Sequence, residues 1–185
     1  VYFFWSYVQA SNFSKKVNFI VPTGNFGNVY AAHISGIMGL PIEKLYVATN
    51  SNDIMHRTIM NGDMSLKDVK STISPSMDIQ ISSNFERQLF ESINYNSEKL
   101  NDLMTSFFKN KKYDLRGEIH DNLKMYYKSK GIDDNQTSLT IKKFYEKYNY
   151  IADPHTATSL NILDELNNDD INIALACAHP SKFPD

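Results

Sequence analysis

One stretch constrains this chain more than any other: VNFIVP at residues 17–22 runs without a break into TGNFGN and then into VYAAHISGIMGL. A continuous β-branched, apolar run with no polar alternation suits a strand buried on both faces of a parallel sheet. The residues after the turn are small and apolar at helical spacing, and Gly39 and Pro41 supply a stop signal. KLYVATN then reads as a second short strand, so residues 17–49 form a βαβ-sized unit whose crossover should be right-handed. The fold class this implies is α/β.

The rest of the chain is less sharply patterned. VYFFWSYVQA, at the start, reads as the tail of a buried helix that needs a partner surface, and the chain is expected to lack a preceding portion. Residues 51–72 have no sustained period and read as an irregular lobe, while SPSMDIQI is expected to return to the sheet. SSNFERQLFESIN carries a polar lead-in and a helical apolar spacing. Residues 95–149 read as an inserted set of helical pieces joined by Lys-, Asn- and Asp-rich turns. In YIADPHTATSLNILDEL, Asp153 reads as an N-cap and Pro154 as the first helical residue, where a missing amide costs nothing. INIALACAHP reads as the last strand, ending at Pro180.

Length and charge bound the function. At 185 residues one sizeable core is expected, and a net charge of −2 with 22% charged residues gives no electrostatic footprint for nucleic acid. A single cysteine, Cys177, cannot form an intrachain disulfide, and no signal-peptide or membrane-span pattern is seen. The expected compartment is the cytoplasm, with a small molecule as partner and neither membrane nor nucleic acid. Scattered histidines and one cysteine offer no zinc spacing, so no metal site is expected.

TGNFGN sits where a buried strand meets a helix. Unpaired backbone N–H groups and the helix dipole converge there, which favours a phosphate. Gly24 and Gly27 permit close backbone approach, and Asn25 and Asn28 can add donors. The plain alternative is a strand-to-helix turn whose glycines serve tight packing. The spacing matches neither GxGxxG nor GxxxxGK[ST], so a dinucleotide fold or P-loop is poorly supported. Arg87 in SNFER could grip a phosphate or carboxylate in two-point fashion, or form a structural ion pair. Asn84 stands in the same position of choice. His155 and His179 read as cap and turn residues rather than bases or ligands.

VPTGNFGN, MGLPIEKLYVATNSNDI, ISPSMDIQISSNFERQLF, DPHTA and AHPSKF occur in that order, and together they closely resemble the C-terminal part of the threonine synthase family. That resemblance implies the large domain of a fold type II pyridoxal 5′-phosphate enzyme, in part, with all 185 residues belonging to one cofactor-binding catalytic domain. Members of that family are lyases that convert O-phosphohomoserine and water to threonine and phosphate. By the family pattern, Gly24, Asn25, Phe26, Gly27 and Asn28 would cradle the cofactor phosphate, Cys177 would face the pyridine nitrogen, and Asn84 and Arg87 would contact substrate. Two departures stand out: Asn28 replaces a common Asp, and Cys177 replaces a usual Thr, its S–H a weak donor and weak acceptor.

The resemblance also places the Schiff-base lysine upstream of Val1. SLKDVK mimics the family's lysine block, but Lys67 lies downstream of the phosphate loop in a polar window, whereas a lysine with a lowered pKa needs burial. No catalytic residue is therefore expected within this chain, and alone it should be inactive and need the preceding portion. The leading expectation is threonine synthase. The alternatives are a threonine synthase-like phospholyase with the same cofactor, and a truncated, non-catalytic phosphate-binding module.

Overall fold

The computed structural model describes residues 1–167 and 169–183. Helix α1 (Tyr2–Ser11) leads into strand β1 (Val17–Pro22), helix α2 (Gly27–Ile37) and strand β2 (Ile42–Thr49). Helix α3 (Ile54–Asn61), a 3-10 turn at Pro75–Met77, and helices α4 (Phe85–Ser92), α5 (Ser97–Asn110) and α6 (Glu118–Tyr126) follow. Strand β3 (Tyr127–Gly131), helices α7 (Asp134–Tyr148) and α8 (Pro154–Glu165), strand β4 (Ile171–Ala174) and a last turn at Pro180–Lys182 complete the order. The strands form one parallel sheet in the order β3-β2-β1-β4. No helix among the described residues is long and apolar enough to cross a membrane.

β1 is buried along its whole length, as its unbroken apolar run requires. Val17, Phe19 and Val21 point to one face, where Phe3, Val29, Ile59 and Leu89 meet them. The Phe3 and Phe19 rings meet edge to face at 5.1 Å, so part of α1's aromatic content is committed to the core. Ile20 points to the other face, against Tyr46, Ala48, Ile132 and Ile162 of α8. Helices on both faces of a parallel sheet make the α/β architecture, and each large side chain so buried contributes roughly 1.5–3 kcal/mol. The remainder of α1 faces outward: Trp5 is 66% exposed, and with Phe4, Tyr30, Ile34 and Met38 it lines an open apolar groove of about 910 Å³ that ends at Gly27 and Arg87.

Four expectations need correction. The segment at 95–149 is not wholly helical, since YKSKG forms β3, a sheet-edge strand whose outer side chains are lysines and which therefore carries no apolar signal. SPSMDIQI does not rejoin the sheet. Pro75 opens a 3-10 turn, and the Asp78 carboxylate binds Asn50 Nδ2 at 2.7 Å, Asn52 Nδ2 at 3.0 Å and Thr72 Oγ1 at 2.6 Å, which folds the segment onto the end of β2. The irregular lobe contains α3, hidden because polar Arg57 and Thr58 share its buried face with Ile54, Met55 and Ile59. Arg57 donates from Nε to Asp53 at 2.8 Å and from Nη1 to Asp63 at 2.6 Å, so its charge is paired where it is desolvated. The last strand stops at Ala174, and 175–179 leave the sheet as a loop.

α3 ends at Gly62, with φ +75°. The Gly62 carbonyl accepts from the Leu115 amide at 2.8 Å, and the Met64 amide donates to the Tyr113 carbonyl at 2.9 Å. The two backbones lie so close that a Cβ on Gly62 would stand 2.2 Å from the Leu115 carbonyl oxygen.

Candidate functional site: the sheet's switch point

The chain steps from β1 to β2 to β3 in one direction and then returns to place β4 on the other side of β1. The crevice at the carboxyl ends of β1 and β4 is therefore the topological switch point, where open α/β sheets bind ligands. Register pairs Ile20 with Ala174, so Thr23 and Cys177 each lie three residues beyond a paired position on neighbouring parallel strands. Both loops that the sequence singled out leave the sheet at this point.

The β1–α2 loop is fixed by its own backbone. Thr23 donates its amide to the Ala48 carbonyl at 2.7 Å and its hydroxyl to the Val21 carbonyl at 2.7 Å, which ends the strand. Phe26 adopts a left-handed conformation (φ 62°) because its ring is buried edge-on against Phe85 and Tyr127 at 5.0 and 5.5 Å. The first intrahelical bond of α2 runs from the Tyr30 amide to the Phe26 carbonyl, so the amides before it lie in the unpaired first turn at the positive end of the helix dipole. A helix start of this kind can receive an anion through backbone amides alone. It carries no countercharge of its own, and Asn28 adds none.

The glycines of this loop admit protein. A Cβ on Gly24 would lie 3.0 Å from Met77 Cα, and one on Gly27 would lie 3.1 Å from Asn84 Nδ2. Asn25 is engaged as well, its Oδ1 accepting from Ser83 Oγ at 2.8 Å, while Ser82 Oγ donates to the Gly24 carbonyl at 3.0 Å. The start of α4 thus buttresses the loop. Asn84 heads α4 without capping it through its side chain; instead its Oδ1 accepts from Arg87 Nη2, and the Arg87 guanidinium sits 5.1 Å from the centre of the Tyr30 ring. Arg87 is exposed and has no carboxylate partner among the described residues, so its charge is available beside Gly27.

On the β4 side, Cys177 is held by its amide, which donates to Thr156 Oγ1 at 2.9 Å. The residue is exposed, yet enough protein surrounds the sulfur that desolvation, followed by the nearby Asp153 charge, pushes the thiol up to about 11. A neutral S–H at physiological pH follows. Alkylation of Cys177 by iodoacetamide in the cofactor-free protein is expected to accelerate only as pH approaches about 11, well above an ordinary thiol near ~8.5. An alkylation midpoint at the ordinary value would contradict this environment.

Asp153 is the residue whose importance the sequence understated. As the N-cap of α8 it accepts from the His155 amide at 3.0 Å, and it also accepts from the Ala178 amide at 3.2 Å and from the Thr156 hydroxyl. Burial raises its pKa, but the hydrogen bonds from Thr156, His155 and Ala178 outweigh that, and the carboxyl is held below its usual value. His179 caps the last turn through Ser181. Lys67 lies exposed and paired to Asp53 at 3.4 Å, away from burial of the kind a catalytic lysine requires.

Comparison with known proteins bears on this arrangement. No protein-family model matches the sequence. The chain is 40% identical to threonine synthase of Saccharomyces cerevisiae and 37% identical to that of Pseudomonas aeruginosa, in each case over 100% of its own length and 40% of the relative's. It is 35% identical to threonine synthase-like 2 of Homo sapiens over 91% of its length and 36% of that protein. The crystal structure of PLP-bound threonine synthase from Brucella melitensis superposes with a TM-score of 0.95 at 36% identity, covering 99% of this chain and 40% of the other. The chain thus spans about 40% of the length of these relatives.

Proposed function

We propose, from the premise that this chain is homologous along its whole length to a portion of threonine synthase, that it forms one wall of the active site of a pyridoxal 5′-phosphate-dependent lyase converting O-phosphohomoserine and water to threonine and phosphate. The observation that carries this is the pairing of a backbone anion cradle and a neutral thiol at the same switch point, on β1 and β4. The residues present fit the cofactor. Gly24, Asn25, Phe26, Gly27 and Asn28 would hold its phosphate through the first turn of α2, and Cys177 would face the pyridine nitrogen. When bound, the cofactor supplies an electron sink for proton abstraction next to the substrate's amino group.

The chain's own residues then bind and orient. The cradle neutralises phosphate by backbone dipoles alone, so Asn28 keeps it free of a competing negative charge. A thiol neutral at physiological pH leaves the ring nitrogen without a carboxylate partner. Arg87, backed by Tyr30 and oriented by Asn84, would receive the substrate's phosphate or carboxylate. On this reading the 185 residues are part of one catalytic domain. The lysine that holds the cofactor covalently is supplied by chain outside them, and the free thiol suits a reducing cytoplasm. The second reading is a threonine synthase-like phospholyase with the same cofactor, which the two departures at Asn28 and Cys177 leave open.

Titration with pyridoxal 5′-phosphate tests the assignment. A visible absorbance band is expected in the longer gene product and not in the 185-residue chain, with borohydride reduction labelling a lysine that precedes Val1. A label on Lys67 would overturn the lysine assignment, and no band in either protein would favour a non-catalytic module. Threonine rather than 2-oxobutyrate as product would separate the synthase from the phospholyase.

A further inference from the structure

The geometry points to Asp153 and His155 as a positioning pair that ties the Cys177 loop and the Thr23–Asn28 loop into one rigid cradle; this rests on the reading of those loops as the two halves of a cofactor site. Both side chains are buried, His155 at 5% and Asp153 at 0% exposure. Asp153 Oδ1 accepts from His155 Nδ1 at 2.9 Å, and His155 Nε2 lies 3.2 Å from the Ser76 amide. A backbone amide can only donate, so Nε2 is the acceptor and the proton lies on Nδ1, facing the carboxylate. The ring therefore transmits a directed link from α8 to the 3-10 turn.

Each end of the link reaches one loop. Asp153 Oδ2 takes the Ala178 amide at 3.2 Å and the Thr156 hydroxyl, and Thr156 Oγ1 in turn takes the Cys177 amide at 2.9 Å. At the other end, Ser76 and Met77 pack directly on Gly24, where a Cβ would stand 3.0 Å from Met77 Cα and 3.2 Å from the Ser76 carbonyl oxygen. The turn cannot retreat, because Asp78 anchors it through Asn50, Asn52 and Thr72. Phe183 covers the outer face of the His155 ring, centroid to centroid 4.7 Å.

Capping α8 does not require this. The cap uses Oδ1 alone, on the His155 and Thr156 amides. The bonds through Oδ2 and through the imidazole are additional, and all of them lead toward the switch point. A rigid ring carrying a phosphate on one edge and a nitrogen on another gains from having both receptors held at fixed separation, within about 0.5 Å. Inorganic phosphate, which reaches only one receptor, gains nothing from the tie.

That asymmetry is the test, made in the longer gene product that contains this chain. His155→Ala is expected to weaken pyridoxal 5′-phosphate binding about tenfold or more, to leave the affinity for inorganic phosphate within about twofold, and to speed amide hydrogen exchange in both the 72–78 and 176–179 segments. His155→Gln, whose Oε1 can still accept from Ser76, is expected to restore protection at 72–78 but not at 176–179. Should His155→Ala fail to fold, His155→Gln carries the same comparison through its loss at 176–179 alone. Parallel loss of both affinities, or faster exchange in only one segment of the alanine variant, would overturn the tie. If the parent protein fails to bind pyridoxal 5′-phosphate, the functional reading falls, while the exchange measurements still decide the linkage.

Discussion

Gly62→Ala is expected to destabilise the protein by about 2–5 kcal/mol, through left-handed strain plus forced separation of two hydrogen-bonded backbones. At φ +75° the new Cβ would stand 2.2 Å from the Leu115 carbonyl oxygen, a distance no rotamer can relieve because both partners are main chain. The 62–66 and 111–115 segments must part, breaking the bonds from Leu115 N to Gly62 and from Met64 N to Tyr113. Gly117→Ala is the control. Its φ of +58° with ψ −141° is backbone that side-chain-bearing residues rarely adopt, and nothing lies within 4 Å of its Cβ, so it should cost only the conformational part, about 1–3 kcal/mol. Denaturant unfolding of the two variants checks this, and equal midpoints would show that the segments separate freely.

Asp153→Ala is expected to cost about 3–5 kcal/mol, because it leaves several buried donors without an acceptor. The His155 and Thr156 amides, the Ala178 amide and the His155 ring all lose their partner at once. The sign of the pH dependence follows from the depressed pKa of the carboxyl. Its contribution is fully present above the unfolded carboxylate value, and it is lost as pH falls through the lower, folded value. Thermal unfolding followed from about pH 7 down to about pH 3 should therefore show a shallower acid decline in Asp153→Asn than in the parent. Asp53 and Asp63, whose pKa values are also lowered, by Arg57 and by hydrogen bonding that outweigh their desolvation, will keep some slope in both proteins. An unchanged slope would show that Asp153 titrates as it does in the unfolded chain.

The parts of the fold legible in the sequence were those where one residue type answers to one force. VNFIVP is apolar throughout because both faces of β1 are covered, and Asp153 with Pro154 marks the start of α8 because cap and first-turn chemistry are local. Polar residues doing buried work were opaque. Arg57 breaks the apolar period of α3 yet lies inward, and the lysines of YKSKG hide β3 because an edge strand needs charge outside. At the site, the TGNFGN cradle could be read from its neighbours, whereas the purpose of its glycines could not: the backbone that approaches Gly24 belongs to Met77, 53 residues away in sequence. The bond from Ser76 to His155 spans 79 residues and leaves no local trace.

The position of β4 has a kinetic consequence. β1 opens at Val17 and β4 only at Ile171, and their side chains meet across 154 residues, from Asn18 to Asn172. Pairing at that separation raises contact order and makes closure of the sheet's fourth position a slow, late event. Until the segment around Asn172 has emerged from the ribosome, the edge of β1 that pairs with β4 stays open. The loop bearing Cys177 follows β4 directly, so the surroundings that raise the thiol's pKa form only once β4 has paired with β1, and thiol reactivity reports that step.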